Sequence, residues 1–157
     1  MRILALDVGD RRVGVAVSDE SGLIARPLTT IQRRSKAEDF SRIMRLAREQ
    51  GVDGLVIGHP LNADGSAGPQ ARRIERYAAA LAQGLQDQGV DLPITFWDEH
   101  LSTRRAQETM IAAGRKVKDR RARIDAVAAA VILQDYLDAQ RPAAQPQGDG
   151  AWEEKAH

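Results

Sequence analysis

The sequence contains no cysteine, and this absence removes several kinds of chemistry at once. Disulfides, zinc sites built on thiolates and cysteine nucleophiles are all excluded. The longest apolar runs are far too short to cross a bilayer, and the N-terminus lacks a signal-peptide pattern, so we expect a cytoplasmic protein with no membrane partner. Aromatic residues make up only 4% of the chain, and a formal net charge of +1 does not by itself indicate a nucleic-acid binder.

The chain has 157 residues, of which 43% are hydrophobic, and this suffices for one domain with a substantial core. We place that domain at residues 1–140. Residues 141–157 are rich in Pro, Ala, Gln, Gly and charge and show no apolar periodicity, which predicts a disordered C-terminal tail.

The N-terminal stretch MRILALDVG carries the first indication of a functional site. A run of apolar residues ends in Asp7, and Gly9 follows, where the backbone can turn tightly or approach a ligand. Such a continuous run is typical of a central strand buried on both faces. A carboxylate at the end of a buried strand needs a cation, backbone N–H groups or a metal ion beside it. The same residues also fit the start of an ordinary hairpin turn.

Periodicity and turn residues predict the element order β-β-β-α-β-α-β-α-α. Three hairpin strands followed by β-α-β crossovers give a mixed five-stranded sheet flanked by helices, which is the α/β order of the ribonuclease H-like fold. The predicted strands are residues 1–9, 13–18, 23–30, 53–58 and 93–97, and the predicted helices are residues 35–51, 69–89, 102–113 and 123–138.

Acidic residues stand at the carboxyl ends of two predicted strands, which is where open α/β sheets bind ligands. Asp7 ends the first strand, and Asp98 and Glu99 end the fifth. Asp125 falls in the predicted first turn of the last helix, in line with an inward face. An oxygen-only set of this kind suits Mg²⁺ or Mn²⁺ rather than zinc. The inward face carries Ala128, Ala129, Ile132 and Tyr136.

Two points about these acids stay open at the level of sequence. Asp125 taken alone could merely favour the positive end of its helix. Strand alternation puts Asp98 and Glu99 on opposite faces, and the pattern does not say which face carries the site. The coincidence of three acids at predicted converging ends favours a site over three separate structural roles.

Basic residues crowd the approach to Asp125 and also stand beside Asp7. A charge run is usually a solvated face, but this one adjoins a predicted metal ligand, which favours contact with the phosphates of a polyanion. The loop at residues 60–68 could bring backbone amides to a phosphate, or it could be an ordinary surface loop. The candidate substrate-binding residues are Arg11, Arg12, Arg115, Lys116, Lys118, Arg120 and Arg121.

Four motifs, in this order, resemble the YqgF family. They are Leu6-Asp7-Val8-Gly9 with RVGVAVSD at residues 12–19, VIGHPLNADGS at 56–66, DEHLST at 98–103 and IDAVAA at 124–129. The resemblance covers nearly the whole chain up to about Leu137. His100 stands where the family commonly has Arg, and this departure concerns a phosphate or substrate contact rather than the metal site.

The resemblance implies a ribonuclease H-like fold, similar to that of the RuvC-type Holliday-junction resolvases, and a nuclease that uses Mg²⁺ or Mn²⁺. It implies that Asp7, Glu99 and Asp125 are the catalytic, metal-binding acids. Its members are described as nucleases that mature the 5′ end of precursor 16S ribosomal RNA and as Holliday-junction resolvases. The expected partner is therefore nucleic acid, either precursor rRNA, with ribosomal particles, or four-way DNA. Phosphate contacts carry no sequence information and do not choose between these substrates.

Two other classes of protein fit parts of the pattern. Actin-like ATPases also begin with a strand followed by Asp-x-Gly, but they hold nucleotide between two such domains, whereas this chain has room for one. A non-catalytic nucleic-acid adaptor on the same fold would need none of the three acids. A test for metal-dependent cleavage separates both from a nuclease.

Overall fold

The computed structural model describes residues 1–98 and 117–141, with side chains of the last helix described from Ile124 onward. The strands are β1 (Ile3–Val8), β2 (Arg12–Ser18), β3 (Ala25–Gln32), β4 (Gly54–His59) and β5 (Ile94–Asp98), and the described helices are α1 (Lys36–Gln50), α2 (Pro69–Asp87) and α3 (Val117–Gln140). The predicted element order is confirmed within these residues. The helix predicted at 102–113 and nearly all of the predicted tail lie outside them. None of the described helices is both long and apolar enough to cross a membrane.

The five strands form one sheet in the order β3-β2-β1-β4-β5, which makes β1 central, as its apolar run predicts. β1, β2 and β3 form an antiparallel meander, and β4 is parallel to both β1 and β5. The mixed sheet is therefore confirmed. Because β1, β4 and β5 run in the same direction, their carboxyl ends lie along one edge, which we call the carboxyl edge.

The two faces of the sheet carry separate cores. Alternate residues of β1 divide between them: Leu4, Leu6 and Val8 face α1 and α2, whereas Ile3 and Ala5 face α3. By the same alternation Asp7 lies on the α3 face. The α3 core includes four alanines, whose small side chains let the helix lie close to the strands. Its buried members are Ile3, Ala5, Ala16, Val56, Ala129, Ala130, Ile132, Leu133 and Leu137.

The ends of α1 follow the local signals in the sequence. The Ser35 hydroxyl accepts a hydrogen bond from the backbone N–H of Glu38 at 3.2 Å and so caps the first turn of the helix. Gly51 ends the helix with a φ of 61°, in the left-handed region that favours glycine. These caps fix where the chain enters and leaves the helix that covers one face of β1.

The last helix begins earlier than the sequence pattern predicts. It starts at Val117 rather than near residue 123, so the predicted basic loop is partly helical and the placement of Asp125 in a first turn is wrong. Residues 117–123 contain no Gly or Pro and consist mainly of good helix formers, which favours this extension. The sequence pattern places the start of this helix near residue 123 and leaves the basic residues before it in a loop. The favourable effect of the helix dipole on an acid fades within the first turn, and Asp125 lies beyond that turn. Stabilisation of the helix start is therefore not the role of Asp125.

Close packing of α3 on β2 depends on Gly14. A Cβ atom added there would overlap the backbone carbonyl of Asp125 and would lie 3.0 Å from the backbone nitrogen of Ala126. Backbone atoms cannot rotate out of the way as a long side chain can, so any larger residue must push the helix off the sheet. Gly14 therefore sets the distance between α3 and the strand that pairs with Asp7.

We predict that Gly14→Ala lowers the free energy of unfolding by roughly 1–3 kcal/mol or more, the usual cost of overpacking a tight contact. Gly84→Ala on α2 is the matched control, because a Cβ there would meet only Phe40 at 3.7 Å. The control should be neutral or should stabilise the protein by about 0.5–1 kcal/mol, since alanine is the better helix former. Urea unfolding of both variants checks this, and equal effects would disprove the role given to Gly14.

Candidate active site

Asp7 lies at the carboxyl edge, near the end of the central strand β1. It is the penultimate residue of β1, it is partly buried, and its register partner on β2 is Gly14. The turn that follows is closed by a 2.8 Å hydrogen bond from the Gly9 N–H to the Arg12 carbonyl oxygen. The tight turn brings Arg12, the first residue of β2, back beside the end of β1. Asp7 thus stands at the rim of the α3 core, where its pairing with Gly14 and the turn that follows fix its position.

Asp125 approaches the same place from α3. Its Oδ2 atom accepts a hydrogen bond from Nε of Arg12 at 2.5 Å, and the two side chains are 23% and 29% exposed. A charge-assisted contact of this kind is stronger than a neutral hydrogen bond, and it orients the carboxylate. Arg12, predicted to bind substrate, is therefore in contact with a predicted metal ligand.

Asp7 and Asp125 come together because of Gly14. Residues paired across antiparallel strands have Cα atoms only about 4.5–5.5 Å apart. The backbone of Asp125 packs directly against Gly14, the register partner of Asp7, and both acids lie on the α3 face. No group of three or more His, Cys, Asp or Glu side chains close enough to hold a metal occurs within residues 1–98 and 117–141. The described part thus supplies two converging carboxylates.

The sheet register separates the two candidates at the end of β5. Trp97 pairs with Gly58 and joins the α3 core, where its ring meets that of Tyr136 at 5.5 Å. Asp98 pairs with His59, which hydrogen-bonds to Glu75 of α2. Asp98 is therefore exposed on the face opposite to the two acids. Glu99 lies outside the described residues, and its role as a ligand stays a prediction that this placement of Asp98 favours.

The predicted substrate-binding residues fall into three groups. Arg11 is exposed in the turn between β1 and β2, next to the paired Arg12. Lys118, Arg120 and Arg121 belong to the first two turns of α3, on the helix that carries Asp125. Arg115 and Lys116 lie outside the described residues. The first two groups therefore share the carboxyl edge or the helix that reaches it.

The loop at residues 60–68 forms several hydrogen bonds within itself. The Asn62 N–H donates to the Ser66 carbonyl at 2.9 Å, and the Ser66 N–H and hydroxyl both donate to Asp64 Oδ1. The hydroxyl bond, followed by the N–H bond, holds the pKa of the Asp64 carboxyl below its usual value. This closed turn matches the ordinary-loop interpretation. His59, at 2.7 Å from Glu75, lies on the face away from the two acids.

Sequence reasoning missed two features of the site. The first is the Arg12–Asp125 contact, which joins residues 113 positions apart and leaves no periodic signal. The second is Gly14, whose role depends on a helix crossing over it. A glycine among the valines of β2 was the available clue, because a strand glycine often marks a close backbone approach.

A five-stranded mixed sheet with two acids at the carboxyl edge of its central strand defines the ribonuclease H-like class. A solved structure with this fold is "T. thermophilus RuvC in complex with Holliday junction substrate", with a TM-score of 0.51 over 89% of this chain and 96% of that chain at 14% identity. The family model described as "RuvX: Holliday junction resolvase" matches residues 1–139. The chain therefore belongs to the RuvX family, the YqgF family of the resemblance above.

Curated relatives give the same family at higher identity. A protein of Roseiflexus sp. is 46% identical over 140 residues, covering 89% of this chain and 96% of its own length. A protein of Geobacillus kaustophilus is 46% identical over 143 residues, covering 90% of this chain and all of its own length. Both bear the name "Putative pre-16S rRNA nuclease".

We predict that Glu99→Gln costs far more cleavage activity than Asp98→Asn. Both changes remove one negative charge with almost no change in size, and the two positions are neighbours in the chain. The exposed face of β5 that carries Asp98 is turned away from Asp7 and Asp125. Single-turnover cleavage with Mn²⁺ compares the variants, and a larger loss for Asp98→Asn would move the ligand to that residue.

Proposed function

We propose that this chain is a divalent-metal-dependent endonuclease that hydrolyses phosphodiesters of precursor 16S rRNA. The observation that carries the proposal is the convergence of Asp7 and Asp125 on one face, across Gly14 at the carboxyl edge. Membership of the RuvX family and the names of the relatives support the nuclease class and the rRNA substrate.

The donor set fits Mg²⁺ or Mn²⁺. Asp7 and Asp125 offer only carboxylate oxygens, which hard divalent cations prefer, and we propose Glu99 as the third ligand. A divalent cation at such a site lowers the pKa of a water molecule and stabilises charge on the transferring phosphoryl group. The pairing of Asp125 with Arg12 limits electrostatic repulsion between the two carboxylates before a cation binds.

Arg12 is suited to a positioning role at this site. Its contact with Asp125 uses the Nε–H, which is one of the five N–H donors of a guanidinium group. The remaining donors can bind a phosphate oxygen while Nε holds the carboxylate in place. Arg12 would then bind substrate, as the sequence predicts, and would also fix the orientation of Asp125.

The other cations would hold the strand around the scissile bond. Arg11 lies next to Arg12 in the turn, and the first turns of α3 carry Lys118, Arg120 and Arg121. Contacts from such residues, and from Arg115 and Lys116, would go to phosphates and fix register without reading sequence. Because RNA and DNA both carry phosphates, these contacts do not distinguish the two substrates. A direct comparison of cleavage of the two is needed to identify the substrate.

A four-way DNA junction is the second candidate substrate. The description of the matching family model names Holliday-junction resolution, and that description is the observation in its favour. The likeness to RuvC at 14% identity concerns the fold alone. A non-catalytic adaptor is the third candidate, and it would bind nucleic acid without any metal-dependent cleavage.

We predict that Asp7→Asn abolishes Mg²⁺-dependent cleavage of a precursor 16S rRNA fragment. The substitution removes a proposed ligand charge but keeps the size of the side chain, so the melting temperature in EDTA should hold or rise as carboxylate repulsion is relieved. Asp91→Asn, an exposed acid far from the carboxyl edge, is the control and should cleave like the wild type.

The same assay with a four-way DNA junction distinguishes the substrates. Faster wild-type cleavage of the rRNA fragment than of the junction is the expected result. Undiminished cleavage by Asp7→Asn would refute the assignment of the metal site. Binding of both nucleic acids without cleavage by the wild type would support the adaptor.

A further inference from the structure

A second feature of the carboxyl edge lies on the face opposite to the acids. A depression of about 190 Å³ opens where β1 ends, between the N-terminal parts of α1 and α2. It is lined on one side by Val8, Gly9 and Asp10, the residues that directly follow Asp7. We call it the basic depression, because its other lining residues include Arg33, Lys36, Arg73 and Arg76.

The charges around the basic depression are unbalanced. Asp10 is the one acid among the described lining residues, against four cations. Within the described part of the chain, Lys36, Arg73 and Arg76 form no ion pairs, and all three are exposed. Like charges held close together repel one another, and an anion placed between them relieves that repulsion.

Arg33 is the anchored member of the set. Its Nη1 donates to the Gly9 carbonyl at 2.7 Å, and its Nε lies 3.9 Å from Oδ2 of the buried Asp39. Its guanidinium carbon also lies 5.0 Å from the centre of the Tyr77 ring. These contacts hold Arg33 in one place at the wall of the depression, so it would need little further ordering to contact a ligand.

Tyr77, which lines the same depression, has a hydroxyl group with no hydrogen-bond partner among the described residues. The residue is only 3% exposed, and a buried polar group without a partner is costly. Burial and the nearby Asp39, against the opposing effect of Arg33, raise the pKa of Tyr77 to about 12. The hydroxyl is thus a hydrogen-bond donor for which the described residues provide no acceptor.

The start of α2 lies on the same side of the depression. Gly68 is the N-cap residue and offers no side-chain cap, while Gln70 in the first turn lines the depression. The first N–H groups of a helix favour anions. Four cations, a phenolic group and the positive end of a helix around a small open cavity together match the chemistry of a phosphate group.

We propose that the basic depression binds a phosphate of the nucleic-acid substrate, on the face of the sheet opposite to the proposed metal site. This inference rests on the proposed nuclease function and adds a second point of contact. Asp7 and Val8 are adjacent in β1 and face opposite sides of the sheet. A nucleic-acid strand that crosses the carboxyl edge would therefore contact both the proposed metal site and the basic depression. The phosphate could belong to the strand interior or to its 5′ end.

Binding in EDTA tests the proposal without any cleavage. The probe is a 3′-labelled single-stranded RNA, made with a 5′-phosphate and with a 5′-hydroxyl, and the readout is fluorescence anisotropy over a salt series. Arg73→Ala/Arg76→Ala should weaken binding by at least about tenfold, the effect of losing contacts to a charged group. The slope of log affinity against log salt should shrink by roughly 0.7 per lost contact.

Arg48→Ala/Arg72→Ala is the matched control. It removes the same charge from two exposed positions on the same two helices, outside the depression, and should leave affinity within about twofold of the wild type, since exposed charges away from the contact act only through screened fields. Equal losses on both RNA forms assign the depression to an internal phosphate, and a loss confined to the 5′-phosphorylated form assigns it to the terminal one. Affinity of Arg73→Ala/Arg76→Ala equal to that of the control would overturn the proposal.

Tyr77→Phe separates the hydroxyl from the cations. The variant loses a buried unpaired donor, so its thermal stability should hold or rise while RNA binding weakens. Wild-type affinity in this variant would remove the hydroxyl from the site. A wild-type protein that binds neither the RNA nor a DNA junction would instead refute the proposed function itself.

Discussion

The contact between α3 and β2 at Gly14 is the constraint on which the site depends. The backbone of Asp125 occupies the space where a side chain would stand, and the register partner of Gly14 is Asp7. One glycine thereby brings a helix acid next to a strand acid that lies 118 residues earlier (125 − 7) in the chain. The alanines of α3 continue the same close packing along the rest of the interface.

The Arg12–Asp125 contact completes this arrangement. Two partly buried carboxylates on one face repel each other, and a cation beside one of them lowers that repulsion. Because the Gly9 turn returns the chain directly to Arg12, the cation comes from the strand adjacent to Asp7. The short segment at residues 7–12 thus supplies Asp7, the turn that follows it and Arg12, the cation that pairs with Asp125.

The carboxyl edge presents different chemistry on its two sides. The α3 side carries the acids, and the side covered by α1 and α2 carries the basic depression. These two kinds of chemistry match two needs of a nucleic-acid substrate. Its scissile phosphate needs stabilisation of the charge that develops during cleavage, and its flanking phosphates need cations to bind them. Both sides begin from consecutive residues of β1, so the central strand is common to the proposed metal site and the proposed phosphate site.

Much of the fold could be predicted from local signals. The apolar run of β1 and the Ala128-Ala129-Ile132 face of α3 each follow from the pattern of a single element, and both were confirmed. The predicted start of α3 was wrong because the basic run before residue 123 was interpreted as a loop, although it consists mainly of good helix formers. The face of Asp98 could not be derived from sequence, because it depends on how β5 registers against His59 of β4.

In the site, too, features that depend on local sequence could be predicted, and features that depend on long-range contacts could not. The acid at the end of β1 carries a local signal, whereas the Arg12–Asp125 pair exists only after a helix docks across the sheet. The basic depression draws residues from the end of β1, the connection into α1 and the first half of α2, which are far apart in the sequence. Such clusters become visible only when the three elements are brought to one edge.

Direct metal binding is the most incisive test of the central claim that Asp7 and Asp125 form one cation site. Titration of EDTA-treated protein with Mn²⁺, followed by electron paramagnetic resonance, measures free and bound ion without substrate or catalysis. The wild type should bind Mn²⁺, and Asp7→Asn and Asp125→Asn should each weaken binding strongly, with the double variant little weaker than either single one. Unchanged binding in either single variant would contradict the account.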